Sequence, residues 1–262
     1  MTLPCRMPPS TCLPPLHFRL TRYTRRSGFT LIEIAISMLI ITLLATVLLT
    51  PITTQVTQAR ISQAKADLDQ INEALIGFAL AQAKPRLPCP DATTGAGAND
   101  GIEDCGAINL GQTIGGNIPW VTLNVPSIDP WGQRYQYRVN SGYTDSVNGF
   151  SLTTAPTGAC NPPGTAGTGN LFTTTVGILK ICGDSACTTT LANNTVPAVI
   201  FSGGPNGSTA PTSADELENI DNDCLFVSRT YSAVAGTAFD DLLVWVSPGV
   251  LMSRMVSAQK LP

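Results

Sequence analysis

The sequence has almost no histidine, and this absence excludes several kinds of chemistry. The single histidine among 262 residues is His17, so none follows residue 28. Beyond that point the chain has no imidazole for a Ser-His or Cys-His nucleophile pair or for a His-ligated metal. Carboxylate-only catalysis is still open, but no spacing of acids singles out a catalytic pair. We therefore expect a protein that is not an enzyme.

Clustered positive charge and closely spaced cysteines are also lacking. Of 15 basic residues, five arginines lie within residues 1–28, so 15 − 5 = 10 basic residues face 18 acids in the rest, a net charge of 10 − 18 = −8. A nucleic-acid surface needs clustered Lys and Arg, so no nucleic-acid partner is predicted. No two cysteines have the two-residue spacing of a zinc knuckle, which argues against a zinc cluster.

The most informative feature that is present is one long apolar run. From Phe29 to Leu49 there are 21 residues with a single charge, Glu33. At about 1.5 Å rise per residue this is a helix of roughly 30 Å, the hydrocarbon thickness of a bilayer. The five arginines before the run place the N-terminus in the cytoplasm and the following domain outside. The sequence thus predicts a single-pass membrane protein.

Glu33 is an unusual residue for such a run. An acid within a membrane-spanning helix costs about 3 kcal/mol on insertion scales and usually has a functional reason. If the chain is cut between Gly28 and Phe29, the new ammonium group of Phe29 lies one helical turn from Glu33. In a bundle of identical subunits it could neutralise the Glu33 of a neighbour. Cleavage and assembly would then depend on one salt bridge.

The segment Gly28-Phe29-Thr30-Leu31-Ile32-Glu33, followed by the apolar run, resembles the processing segment of type IV prepilins and type II secretion pseudopilins. The resemblance implies that a prepilin peptidase removes the leader on the cytoplasmic side, that Phe29 is N-methylated, and that Glu33 is the assembly glutamate. It also implies an inner-membrane location, a C-terminal domain in the periplasm, and later packing of the helix into a filament core. The implied partners are other pilin or pseudopilin subunits, the prepilin peptidase, an inner-membrane assembly platform and membrane lipid.

An ordinary secretory signal peptide is the competing interpretation of this segment. It fits less well, because such a signal has an apolar core of about 7 to 15 residues, no acid at its start, and a small-x-small cleavage site after it. In this sequence the acid comes first and the run is longer.

Four segments follow from these patterns. They are a cytoplasmic leader at 1–28, a transmembrane or filament-core helix at 29–50, an amphipathic half-helix at 51–84 and a periplasmic or extracellular β-rich domain at 85–262. In the half-helix, apolar residues recur at spacings of three and four and form one stripe. The stripe comprises Ile61, Ala64, Leu68, Ile71, Leu75, Phe78 and Ala79.

The predicted fold class is α+β and pilin-like, with the long N-terminal helix packed on one antiparallel β-sheet. Short runs rich in β-branched and aromatic residues alternate with turns after Pro85. The candidate strands are 118–125, 134–139, 149–154, 172–181, 196–202, 225–233 and 242–246. Ser247-Pro248 then provides an N-cap and a first-turn proline for a closing helix to about residue 258.

The segment Asp129-Pro130-Trp131-Gly132 resembles one that leads into a sheet strand in the major pseudopilins of type II secretion. Asp-Pro starts a turn, Trp131 can bury against the helix, and Gly132 relaxes the backbone before the strand. We interpret these residues as determinants of the fold. The chain departs from those pseudopilins by an insertion around Cys160 to Cys187.

An acidic segment after the Gly203–Gly207 turn is a candidate calcium site. Hard oxygen ligands at this density suit Ca²⁺, although the spacing is not that of an EF-hand. The resembling pseudopilins hold calcium in the corresponding C-terminal loop. The candidate ligands are Asp215, Glu218, Asp221 and Asp223. The alternative is an acidic loop that binds only solvent.

Six cysteines lie beyond the leader, and an even number in an oxidising compartment favours disulfides. They are Cys89, Cys105, Cys160, Cys182, Cys187 and Cys224. Loop closure favours Cys89 with Cys105 and Cys182 with Cys187, which leaves Cys160 for Cys224. Sequence alone does not choose among the connectivities.

The predicted function is that of a structural subunit, a minor one, of a type IV pilus or a type II secretion pseudopilus. The alternative is a singly anchored periplasmic binding or adhesion domain that never polymerises. Such a domain needs neither Glu33 nor processing.

Overall fold

The computed structural model describes residues 28–92, 98–105, 113–150, 179–207, 211, 213–221, 224–232, 234 and 236–261, without the side chains of 46–54, 113–114, 141 and 193–195. The chain forms two compact units, Met1–Ile52 and Thr53–Pro262. The predicted leader up to residue 27 and the predicted strand at 149–154, apart from its first two residues, lie outside the described residues.

The described residues form four α-helices and seven strands. The helices are α1 (Leu31–Ala81), α2 (Trp120–Leu123), α3 (Ala214–Ile220) and α4 (Pro248–Ser257). The strands are β1 (Thr113–Asn117), β2 (Gln136–Asn140), β3 (Leu179–Cys182), β4 (Thr190–Val196), β5 (Ala198–Ser202), β6 (Leu225–Val227) and β7 (Leu242–Trp245). The protein is therefore α+β, as the sequence predicts.

The second half of α1 is amphipathic, as its apolar stripe predicts. Five stripe residues are fully buried and two, Ile61 and Phe78, are partly buried. The five are Ala64, Leu68, Ile71, Leu75 and Ala79. The Tyr135 hydroxyl donates a hydrogen bond of 2.9 Å to the Asp67 carboxylate, which joins this half of the helix to the residue preceding β2.

The first sheet is antiparallel throughout, with strand order β1-β2-β5-β7. One of its faces shares a buried cluster with α1 and α4, to which Tyr137, Val139, Ala198 and Ile200 contribute. Alternate residues of a strand point to opposite faces, so Val199 and Phe201 lie on the other side.

A second sheet, with order β4-β3-β6, was not anticipated from the sequence. It contains a parallel pair, β3 with β6, beside the antiparallel pair of β3 and β4. Its buried side chains form a cluster with Val199 and Phe201 of β5. Strand β5 is thus covered on both faces, which explains its continuous apolar sequence. The prediction of a single sheet was wrong on this point.

The structure corrects two further local predictions and adds two strands that were not predicted. The candidate strand at 118–125 contains helix α2, which follows Pro119. Asn124 caps the end of this helix in the left-handed region, with φ 54°. The acidic segment at 215–223 begins as helix α3, because Ser213 caps it by accepting a hydrogen bond from the Glu216 amide. Strands β1 and β4 are rich in Gly and Asn, so only their pairing with neighbouring strands reveals them.

Candidate functional site

The predicted processing residues lie directly before α1. Gly28, Phe29 and Thr30 are exposed and non-helical, and the helix begins at Leu31. The Glu33 amide donates to the Thr30 hydroxyl at 3.3 Å, and the Ile34 amide donates to the Thr30 carbonyl at 3.2 Å. Thr30 thus acts as the cap of the helix, as Thr does where a Glu follows three residues later. The bond between Gly28 and Phe29 therefore lies in an exposed, non-helical stretch.

The apolar side chains of this segment are exposed in the single chain. Phe29, Leu31 and Ile32 are 78%, 89% and 69% exposed, and every residue from 28 to 45 is exposed. The carboxylate of Glu33, in the first turn of α1, forms no ion pair among the described residues. Within the described part of the chain, no helix combines the length and the hydropathy needed to cross a membrane.

Two of the predicted disulfides are present in the domain that follows α1. Cys89 is bonded to Cys105 and Cys182 to Cys187, which confirms both pairings. Cys224 also forms a disulfide. Its predicted partner, Cys160, lies outside the described residues, so that pairing stays a prediction.

The turn before β2 is organised by Asp129, which is 3% exposed. Its Oδ1 accepts hydrogen bonds from the amides of Trp131 at 3.0 Å and Gln133 at 2.8 Å, and its Oδ2 accepts from the Ser202 hydroxyl at 2.5 Å. Gly132 has φ +86°, a conformation that L side chains rarely adopt. Trp131 itself is only partly buried. The segment thus determines the fold, as predicted, mainly through Asp129 and Gly132.

The four predicted calcium ligands have different surroundings. Asp215 forms an ion pair of 3.0 Å with Arg229 and accepts a hydrogen bond from the Ser185 amide. Glu218 follows one helical turn later, Asp221 caps the end of α3, and Asp223 lies outside the described residues. Among the described residues, the one set of three acid or cysteine side chains with ligand atoms within 4.8 Å is Cys89, Glu103 and Cys105. The calcium site in α3 stays a prediction.

A carboxylate cluster that the sequence analysis missed lies beside α3. Glu216 is 1% exposed and its Oε1 accepts hydrogen bonds from the Asn206 side chain and the Asp240 amide, both at 3.2 Å. Burial and the charge of Glu216 raise the pKa of Asp240 to about 6. Burial raises the pKa of Asp241 to about 7, with the charges of Glu216 and Asp240 adding to the shift. The adjacent acids at 240 and 241 were the signal in the sequence.

Asn219 binds this cluster to the second sheet. Its side-chain amide donates to the Asp241 carboxylate at 2.6 Å and to the Val227 carbonyl at 3.2 Å, and its side-chain oxygen accepts from the Val227 amide at 2.8 Å. Every polar atom of the Asn219 side chain is thus used within the fold.

Three features occur together at the N-terminus. They are an exposed junction between Gly28 and Phe29, a capped helix whose apolar side chains are exposed, and an acid, Glu33, in the first turn of that helix. Together they define a class of protein. The family described as "Prokaryotic N-terminal methylation motif" matches residues 23–49, which contain Gly28, Phe29 and Glu33. The chain therefore carries a prepilin-type cleavage and methylation motif, which supports a type IV prepilin-like or pseudopilin-like protein. The motif implies processing by a prepilin peptidase and assembly with other pilins. No curated protein and no solved structure matches the chain significantly.

Proposed function

We propose that this protein is a structural subunit of a type IV pilus or a type II secretion pseudopilus. The observation that carries the proposal is the methylation motif at residues 23–49. In this role a prepilin peptidase cuts between Gly28 and Phe29, Phe29 is N-methylated, and the apolar helix passes from the inner membrane into a filament. The assembly platform in the inner membrane and the surrounding lipid are the further partners.

The exposure of the apolar half of α1 supports an assembly role. Side chains such as Leu31 and Ile32 keep most of their surface in contact with solvent in the single chain. Burying apolar surface is worth about 25 cal/mol for each Å² removed from water. A contiguous exposed apolar stretch in a protein marks an interaction surface. A membrane before assembly and neighbouring subunits afterwards would cover it.

Glu33 supports the same proposal, because its carboxylate is exposed and without an ion pair among the described residues. Cleavage after Gly28 creates one ammonium group, that of Phe29, on every subunit. Pairing between the ammonium of one subunit and Glu33 of the next would neutralise both charges inside an apolar bundle, where an unpaired charge is costly.

We further propose that the subunit is a minor one. The exported domain carries six cysteines and an insertion between Cys160 and Cys187 that the shorter major pseudopilins do not have. An abundant filament subunit repeats every surface feature along the filament, whereas a tip or priming subunit does not.

The test is the intact mass and N-terminal sequence of the protein purified from membranes of cells that express a prepilin peptidase. We expect a chain that begins at N-methylated Phe29. As a matched control, Gly28→Leu should leave the uncut chain in the membrane, because a bulky side chain replaces the small residue at the junction. A wild-type chain that keeps residues 1–28, or one cut elsewhere, would contradict the proposal and favour a singly anchored domain.

A further inference from the structure

The loop closed by the Cys89–Cys105 disulfide contains a buried carboxylate without a hydrogen-bond partner. Asp91 is 0% exposed, and neither of its side-chain oxygens accepts a hydrogen bond from the described residues. An ionised carboxylate accepts hydrogen bonds at both oxygens. When it is buried, it is normally paired with a cation or bound to a metal, because its desolvation is costly.

Two further carboxylates belong to the same loop. The Asp100 carboxylate accepts a hydrogen bond from the Ile102 amide at 2.9 Å, and the Asp104 carboxylate accepts one from the Ala92 amide at 2.9 Å. Burial raises the pKa of the Asp91 carboxyl, and the charges of Asp100 and Asp104 raise it too. The Gly101 amide and the Asn117 side-chain amide act in the opposite direction, but neither reaches hydrogen-bond geometry with Asp91. The charges of two other acids of the loop thus act on one buried carboxylate.

Arg86, near the start of this loop, already forms an ion pair. Both terminal nitrogens of the Arg86 guanidinium bind the Glu103 carboxylate at 2.7 Å. Such a bidentate pair is among the stronger and more specific ion pairs. Arg86 therefore neutralises Glu103. No ion pair of Asp91 is formed among the described residues, so a charge on Asp91 would need another cation.

The backbone around the three acids is held in place. The disulfide closes the loop, and Asp91 and Asn117 exchange two backbone hydrogen bonds of 3.0 Å. The Asp104 amide donates to the Pro90 carbonyl at 3.1 Å. The carbonyl of Gly101 accepts from the amide of Val121 at 2.9 Å, which ties the turn to α2. The oxygen atoms are thus carried by a constrained frame.

We propose that this loop binds a divalent cation, Ca²⁺, with Asp91 as the buried ligand and with Asp100 and Asp104 as the further carboxylate ligands. All the donors are hard oxygens, which suit Ca²⁺ at about 2.3 to 2.6 Å. Both cysteines are in the disulfide, so they offer no thiolate for zinc. The oxygens of the three acids do not all lie within 4.8 Å of one another, so the exposed Asp100 and the part-exposed Asp104 would move inward to reach an ion held by Asp91.

This site is independent of the filament role proposed above and of the acidic segment in α3. A bound cation would tie the two ends of the disulfide loop to each other and to the end of β1, where Asn117 pairs with Asp91. Calcium binding would then stabilise the folded domain, because a ligand that binds only the native state raises the free energy of unfolding.

Trp120 provides a local probe for the test. Its indole ring packs directly against Gly101, since a Cβ built on that glycine would lie 2.3 Å from the ring. Tb³⁺ substitutes for Ca²⁺ at oxygen sites and emits when a nearby tryptophan is excited. We therefore expect the full chain, purified in detergent, to show tryptophan-sensitised Tb³⁺ emission that excess Ca²⁺ abolishes. Ca²⁺ should also raise its melting temperature above that in chelator.

Four variants make the assignment specific. Asp91→Asn should weaken Tb³⁺ binding at least tenfold and, in chelator, melt no lower than wild type, because it removes a buried unpaired charge. Asp100→Asn, at an exposed position, should also weaken binding while the chain stays folded. Trp120→Phe should lose most of the sensitised emission but keep the calcium-dependent rise in melting temperature. Asp69→Asn, a matched control at an exposed position of α1, should bind like wild type.

The opposite results would overturn the proposal. They are the absence of both signals in the wild type, their full retention in Asp91→Asn, or their loss in Asp69→Asn. A melting temperature of Asp91→Asn that falls well below that of wild type in chelator would show that Asp91 has a structural role without a cation.

Discussion

At the scale of the residue, Glu33 is the side chain on which the assembly proposal depends. Replacing it by Gln keeps the shape and the helix but removes the charge that would pair with the Phe29 ammonium. We expect Glu33→Gln to be inserted and processed like wild type, because a neutral side chain enters a membrane at lower free energy than a charged one. Its incorporation into filaments should fall at least tenfold, as measured by quantitative blotting of sheared filaments.

The matched control for Glu33→Gln is Glu73→Gln, the same substitution on the same helix. Glu73 is exposed and its contact with Arg254 is long, 3.8 Å. Exposed ion pairs of this kind contribute little to stability, so this variant should assemble normally. Equal filament levels for Glu33→Gln and wild type would show that the charge of Glu33 has no part in assembly.

At the scale of the element, α1 combines an exposed half and a half that is buried in the domain core. Ile71 is fully buried in the cluster that includes Tyr137 and Ile200. Truncation of a buried Ile loses transfer free energy and leaves a cavity. Ile71→Ala should therefore lower the free energy of unfolding of the domain by about 3 kcal/mol, measured by denaturant titration of the full chain in detergent.

Ile32→Ala is the natural comparison, because the same side chain is removed from a position that is 69% exposed. We expect its unfolding midpoint to match that of wild type. A similar loss of stability in both variants would mean that the two halves of α1 contribute alike to the domain core, contrary to the burial pattern.

At the scale of the whole molecule, the Glu216, Asp240 and Asp241 cluster makes stability depend on pH in an unusual direction. The pKa values of Asp240 and Asp241, about 6 and about 7, lie above the ordinary value of 3.8. The folded state therefore binds these protons more tightly than the unfolded chain, so their stabilising contribution is lost as pH rises from about 4 to about 7. Other carboxylates, such as Glu103 with its lowered pKa, act in the opposite sense.

Asp241→Asn tests this dependence, because the Asn219 amide can still donate to the side-chain oxygen of the new residue. In chelator at about pH 8 we expect the variant to be more stable than wild type by an amount on the order of 2 kcal/mol, with a much smaller difference at about pH 5. Asp69→Asn, at an exposed position of α1, should show no such pH-dependent gain. A loss of stability in Asp241→Asn that is the same at both pH values would refute the cluster's role.

How much of the structure the sequence predicts depends on how far apart along the chain the interacting residues lie. Gly28, Phe29 and Glu33 lie within six consecutive positions, and their relation follows from helix geometry alone. The buried stripe of α1 was likewise predictable, because Ile71 and Leu75 repeat at the helical period. The start of α3 and the strand β4 were not predictable. A capping Ser213 and an Asn-rich strand give only weak local signals, so tertiary contacts decide these two elements.

The sequence by itself determined the processing segment, the apolar helix and the α+β class, and it favoured two of the disulfides, because each depends on residues that are close along the chain or on overall composition. Only the tertiary structure decided that β5 is buried on both faces, since this requires a second sheet whose strands come from distant segments. It also decided that Asp91 is buried with neither carboxylate oxygen in a hydrogen bond from the described residues. The free energy of a carboxylate depends on its desolvation and on the charges around it, and folding alone sets both.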